Sequence, residues 1–153
     1  MLRTCRLGVR VPSGVPFRNK NMLECLILGD SIAVGIGQMR PDCIVEAKSG
    51  INSQDYLNAL SNKFKIQDAK TTVISLGSND AYVDSYEAMV AIRKQIKNNV
   101  IWVMSTNNVE SRYAVLLISK EYGDTVLDTS SYPLSKDRVH PTGNGYKLIA
   151  ESF

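Results

Sequence analysis

His140 is the only histidine among 153 residues, so any chemistry that needs an imidazole to accept a proton near neutral pH has one place to occur. Asp137 stands three residues before it. In a compact turn that spacing lets the carboxylate reach Nδ1, fix the tautomer and leave Nε2 facing a partner. Ser31, in Gly29-Asp30-Ser31, follows an apolar run and opens the next segment, where a hydroxyl is exposed and first-turn amides point outward. A serine nucleophile needs such a base, and also donors for the oxyanion that forms when it attacks a carbonyl. Asn79, in Gly77-Ser78-Asn79-Asp80, offers a neutral side-chain amide. Gly50, in Ser49-Gly50-Ile51-Asn52, offers an N–H that no side chain obstructs. Each cluster alone is also what an ordinary turn or cap looks like. Together, once each and in the order Ser, Asp, His, they read as a catalytic triad, Ser31, Asp137 and His140, with an oxyanion hole.

These residues need elements that hold them in place. Leu23 to Leu28 is a short apolar run ending at Gly29, as a strand buried on both faces would be. Similar runs recur at Ile44 to Ala47, Val73 to Leu76, Val100 to Met104 and Thr125 to Leu127. Helical spacing lies between them: Leu57, Leu60 and Phe64 behind a cap at Ser53, and Met89, Ile92 and Ile96 behind Asp84 with Glu87 three residues on. Arg112 to Tyr122 and Asn144 to Phe153, the latter behind a cap at Thr142, have helical length and composition. The alternation predicts an α/β domain with a five-stranded parallel sheet, because each parallel pair requires a crossover. In such sheets the ligand site lies beyond the carboxyl ends of the strands, where the Ser31, Gly50 and Asn79 clusters fall, while Asp137 to His140 precedes the final helix.

With the clusters ordered in this way, a family resemblance emerges. Ile27-Leu28-Gly29-Asp30-Ser31-Ile32 resembles the first block of the GDSL or SGNH hydrolases, with Ile32 where the motif usually has leucine. Ala47 to Ser53 resembles the second block, Leu76 to Asp80 the third (G-x-N-D) and Asp137 to Pro141 the fifth (D-x-x-H-P), so the likeness spans residues 23–153. It implies a flavodoxin-like three-layer α/β/α sandwich and a serine ester hydrolase that works through an acyl-enzyme and uses no cofactor and no metal. Ser31 would be the nucleophile, His140 the base and then the acid, and Asp137 its orienter. The oxyanion would rest on the Ser31 N–H, the Gly50 N–H and the Asn79 side chain.

The 57 residues between Asn79 and Asp137 are accounted for by two helices and two strands, which leaves no room for a lid. An open, shallow site suits a short acyl group, chiefly acetyl, on a bulky polar alcohol such as a carbohydrate, and suits a long fatty chain poorly. The polar loops Ser105 to Ser111 and Thr129 to Lys136 are candidates to line it. A small thioesterase or lysophospholipase-like acyl hydrolase shares the same residues, and a non-catalytic binding module on the same fold is the alternative from another class.

The formal charge of +3 divides unevenly. Residues 1–21 hold five basic residues and no acid, leaving 13 basic against 15 acidic residues in 22–153. The domain 22–153 thus gives no reason to expect nucleic acid as a partner, and five charges without aromatic residues make a weak footprint in the arm. With no apolar run near the ~20 residues of a membrane span, no membrane partner is expected either. Residues 1–21 read as a basic, unstructured extension. Gly8-Val9-Arg10-Val11-Pro12 resembles the translation of a transfer-RNA T-arm, which would put the native start at Met22 and fit a phage or prophage origin. The N-terminus lacks the apolar stretch of a secretion signal, so the expected location is the cytoplasm, or a released or virion-associated form if the origin is viral. Cys5, Cys25 and Cys43 are odd in number and lack metal-site spacing, which predicts free thiols and no disulfide. Oligomeric state is left open.

Overall fold

The computed structural model describes residues 22–153; the readings made above for residues 1–21 lie outside the described residues. Five strands form one sheet: β1 (Leu23–Gly29), β2 (Ile44–Ala47), β3 (Ala69–Ser75), β4 (Asn99–Met104) and β5 (Thr125–Asp128). They lie in the order β2-β1-β3-β4-β5, and every neighbouring pair is parallel. This is the flavodoxin-like order, whose direction of winding reverses between β1 and β3. The crossovers carry helices α1 (Ser31–Gln38), α2 (Ser53–Ala59), α3 (Ser85–Arg93) and α4 (Val109–Tyr122), and α5 (Gly143–Ala150) closes the chain.

β1 shows why both faces of the sheet must be covered. Successive side chains point to opposite faces, and here both sets are apolar. Leu26 and Leu28 join Ile74, Trp102 and Met104 in a core under α2, α3 and α4, where Tyr56, Met89, Ile92 and Ile118 meet them. Cys25 and Ile27 join Val73 and Val103 in a second core under α1 and α5, filled by Ile32, Ile36 and Ile149. Leu26, Ile27 and Leu28 are completely buried. Each such side chain contributes roughly 1.5–3 kcal/mol relative to an exposed one, so a polar residue on either face of β1 would open the sandwich.

Several local expectations need correction. The pattern Leu57, Leu60, Phe64 runs past the end of α2, which stops at Ala59. The chain then reverses through Ser61 at a left-handed φ of 74°, and Phe64 reaches the core from a turn. Ile96 likewise lies beyond α3. Asn52, not Ser53, caps α2, its side chain accepting from the Asp55 N–H at 2.7 Å. The predicted loop Ser105 to Ser111 already contains the first turn of α4, and Thr129–Ser131 is a 3-10 turn.

The free-thiol expectation is overturned for two of the cysteines. Cys25 and Cys43 form a disulfide with Cα atoms 4.8 Å apart, a separation ordinary for such a bond. The parallel pairing of β1 with β2 brings together residues whose 18-residue spacing in the chain gives no hint of it. No helix among the described residues is long and apolar enough to cross a membrane.

Candidate active site

The site lies where β1 and β3 end, on either side of the switch in winding. Gly29, the last residue of β1, sits at a φ of +142°, and a Cβ there would stand 1.8 Å from the Ser75 carbonyl oxygen of β3. Only glycine permits this approach, and it lets the Asp30 N–H donate to that oxygen at 3.0 Å. Asp30 is fully buried and caps α1: Oδ1 accepts from the Ile32 N–H at 3.0 Å and Oδ2 from the Ser78 hydroxyl at 2.7 Å. Burial pushes its carboxyl pKa up, and these hydrogen bonds pull the other way. Ser31 is thereby fixed as the first residue of α1, at the positive end of the helix dipole.

The turn Asp137 to His140 approaches from the far end of the chain. Ser31 Oγ lies 2.8 Å from His140 Nε2, and His140 Nδ1 lies 2.7 Å from Asp137 Oδ2. The other carboxylate oxygen accepts the Val139 and His140 amides at 2.9 and 3.0 Å. The Val139 amide, then the imidazole, then the His140 amide hold the Asp137 carboxyl down at about 2. Arg138, between them, adopts a left-handed φ of 60°, uncommon without glycine. Its carbonyl accepts from Thr106 Oγ1 at 2.5 Å, while the Ser135 N–H donates to the His140 carbonyl at 2.7 Å. Tyr146 of α5 packs on Gly35 of α1, joining the helix that follows His140 to the helix that starts at Ser31.

Asn79 follows β3 and its Nδ2 donates to the Ile51 carbonyl at 3.0 Å, leaving one amide hydrogen unused. Gly50 sits in the same loop at a φ of +84°, with open space where a side chain would be. The Lys48 N–H donates to the Gly29 carbonyl at 2.9 Å, which seats that loop against the end of β1. Among the described residues, neither the Ser31 N–H nor the Gly50 N–H donates to another group. The fold thus brings all five nominated residues to one end of the sheet. In this arrangement the Ser31 hydroxyl can pass its proton to the His140 imidazole.

Asp80 was not given a role from the sequence. Buried behind Asn79, it accepts from the Ser53 N–H at 2.8 Å, the Ser53 hydroxyl at 2.6 Å and the Ser85 hydroxyl at 2.7 Å. It therefore ties the starts of α2 and α3 to the Asn79 turn, and through α2 it anchors the Gly50 loop. The signal available was two serines at predicted helix starts facing a strand-end acid, but only the tertiary fold shows that they converge.

No protein-family model matches the chain, and no curated protein matches it in sequence. Solved structures do match. A GDSL-like lipase from Bacteroides thetaiotaomicron superposes with a TM-score of 0.65 at 16% identity, over 89% of this chain and 87% of that one. A peptidoglycan O-acetyltransferase catalytic domain from Streptococcus pneumoniae gives 0.60 at 18%, over 85% and 89%. An acetyl xylan esterase from Geobacillus stearothermophilus gives 0.61 at 21%, over 84% and 91%. At these identities the likeness is one of fold, and it agrees with the blocks read from the sequence: the chain has the fold of the GDSL-like lipases and SGNH esterases.

Proposed function

We propose that the protein is an SGNH-type serine ester hydrolase that removes short acyl groups, chiefly O-acetyl groups from carbohydrate. The observation that carries the reading is the relay from Ser31 Oγ through both nitrogens of His140 to Asp137, with steps of 2.8 and 2.7 Å. Ser31 Oγ attacks the ester carbonyl carbon while its proton passes to His140 Nε2. The carbonyl oxygen, now anionic, is held by the Ser31 N–H, the Gly50 N–H and the unused Asn79 amide hydrogen. Collapse breaks the bond to the alcohol, which leaves with the proton from Nε2. Water then enters, gives a proton to Nε2, attacks the acyl carbon and releases the acid as Oγ recovers its proton. Asp137 keeps the tautomer and offsets the imidazolium charge throughout.

The choice of a short acyl group rests on the shape of the surface. Among the described residues, Ser31, Asp137 and His140 line none of the four hollows of about 480 to 740 Å³, which suits a short acyl group better than an octanoyl chain that needs a deep apolar channel. Two proteins of similar fold, the acetyl xylan esterase and the peptidoglycan O-acetyltransferase, are named for acetyl groups on carbohydrate, which supports the same substrate class here. The test is a panel of p-nitrophenyl acetate, p-nitrophenyl octanoate and acetylated xylo-oligosaccharide. Acetyl esters should be hydrolysed at least tenfold faster than octanoyl, with loss of turnover in Ser31→Ala. Equal rates on both acyl lengths would overturn the acyl assignment, and an active Ser31→Ala enzyme the whole mechanism.

A further inference from the structure

We propose that the hollow beside Gly50 is a subsite for a carboxylate-bearing sugar in the alcohol half of the ester, an assignment that rests on the hydrolase reading above. The hollow measures about 480 Å³, within the range of small-molecule sites. One wall is the loop from Lys48 to Ile51, which is seated on the end of β1 by the Lys48 N–H and joined to Asn79 through the Ile51 carbonyl. Any molecule lying in it therefore adjoins a donor placed for the oxyanion.

Its chemistry is that of an acidic sugar. The apolar side of the lining comes from Ile51 and Phe64, and Phe64 is buried and stacked on Tyr56 with ring centres 4.6 Å apart and planes 10° from parallel. The Tyr56 hydroxyl in turn donates to the Glu46 carbonyl at 2.6 Å, so this surface is rigid and suits a sugar ring. Around it stand Lys48 and Lys63, both exposed, and neither forms an ion pair among the described residues. Lys70, elsewhere on the surface, is paired with Glu24 at 2.7 Å. Asn58 adds a donor whose orientation is set, since its Oδ1 accepts from Gln54 Nε2 at 3.1 Å and the amide nitrogen remains. Asp55 is the one carboxylate in the lining; it gives sugar hydroxyls an acceptor and leaves the lysines in excess.

The opposite flank sharpens the assignment. Between α3 and α4 a hollow of about 510 Å³ carries Asp84 and Glu110 and no basic residue in its lining. An anionic substituent is therefore disfavoured there and favoured in the Gly50 hollow.

The test reads binding without turnover. Ser31→Ala protein is titrated at low salt with an unesterified galacturonic acid trisaccharide and with neutral xylotriose, following amide shifts of residues 48–64 by NMR. The acidic trisaccharide should bind about tenfold tighter, on the scale expected of two exposed charge pairs. The preference should shrink at 0.5 M salt, vanish in a Lys48→Gln, Lys63→Gln background and survive in Lys48→Arg, Lys63→Arg. Equal affinity for the two sugars, no binding of the acidic one, or a preference that persists in the glutamine background would each overturn the subsite. Thermal melting of the glutamine variant keeps misfolding separate from lost affinity. Absence of esterase activity in the wild type would count against the hydrolase reading alone, because the titration does not depend on it.

Discussion

At the amino-terminal ends of β3, β4 and β5 the described residues form a hollow of about 740 Å³, lined by Lys70, Arg93, Lys97, Asn98 and Asp124 among others. At the carboxyl ends of β1 and β3 the Ser31 hydroxyl, the His140 imidazole and the Asp137 carboxylate lie in one hydrogen-bonded line. The large hollow contains strong electrostatics of a different kind. Arg93 forms a two-bond ion pair with Asp124 at 2.7 and 2.9 Å, both side chains under 10% exposed, and Trp102 Nε1 also donates to Asp124 at 3.1 Å. Arg93 and Asp124 satisfy each other and Lys70 pairs with Glu24 at 2.7 Å, while Lys97 is exposed. At the end that carries Ser31, by contrast, the Ser31 and Gly50 amides have no acceptor among the described residues and Asn79 keeps one amide hydrogen. The two ends thus differ in which groups keep unspent hydrogen-bonding capacity, and at the switch in winding these are neutral donors of the kind an anionic oxygen would require.

The contrast is broken most severely by removing the base. His140→Ala should lower kcat/KM for p-nitrophenyl acetate by 10³-fold or more with the far-UV spectrum and Tm little changed; steady-state kinetics and a melt check both halves. Asn79→Ala should cost about 10²-fold in kcat, with a smaller change in KM, because its amide meets charge that develops only in the transition state.

At the other end the expectation reverses. Asp124→Ala strands a buried guanidinium and should destabilise the fold by about 3–5 kcal/mol, read by urea unfolding, while kcat per folded molecule stays within about twofold. If Asp124→Ala instead lowered kcat tenfold in fully folded protein, the separation of the two ends would fail.

A smaller effect concerns acid. Asp137 and Asp128 are held at about 2, against an ordinary value of 3.8, the first chiefly by the Val139 amide and the second chiefly by Arg112. Both folded values are depressed, so the stability they contribute is present above pH 4 and is lost as pH falls toward 2. Asp128→Asn should flatten the fall in Tm over that interval. It follows too that Asp137 is ionised throughout pH 5 to 8.

How much of this could be read from the letters varies with how local the cause is. β1, β4 and the second half of β3 were visible because a strand buried on both faces needs an unbroken apolar run, whereas the first half of β3, Ala69 to Thr72, is largely polar. Thr142 and Asp84 were visible as caps because capping is settled within one turn. Ser31, Asp137 and His140 could be nominated together because His140 has no alternative, and the structure brings the three into hydrogen-bond contact. What failed depended on neighbours in space: the pairing of Cys25 with Cys43 needs β1 beside β2, and the three bonds to Asp80 need α2 and α3 to start at one point. The helix ending at Ala59 failed for a related reason. Leu60 and Phe64 are apolar because they face the core, and a helical period is only one of the ways to reach it.

The central claim, that Ser31 is a nucleophile activated by His140, is tested most directly by reacting the protein with a fluorophosphonate and mapping the adduct by mass spectrometry. The account predicts a single adduct on Ser31, absent in Ser31→Ala and formed at least a hundredfold more slowly in His140→Ala. No adduct on the wild type, or the same labelling in Ser31→Ala, would contradict it.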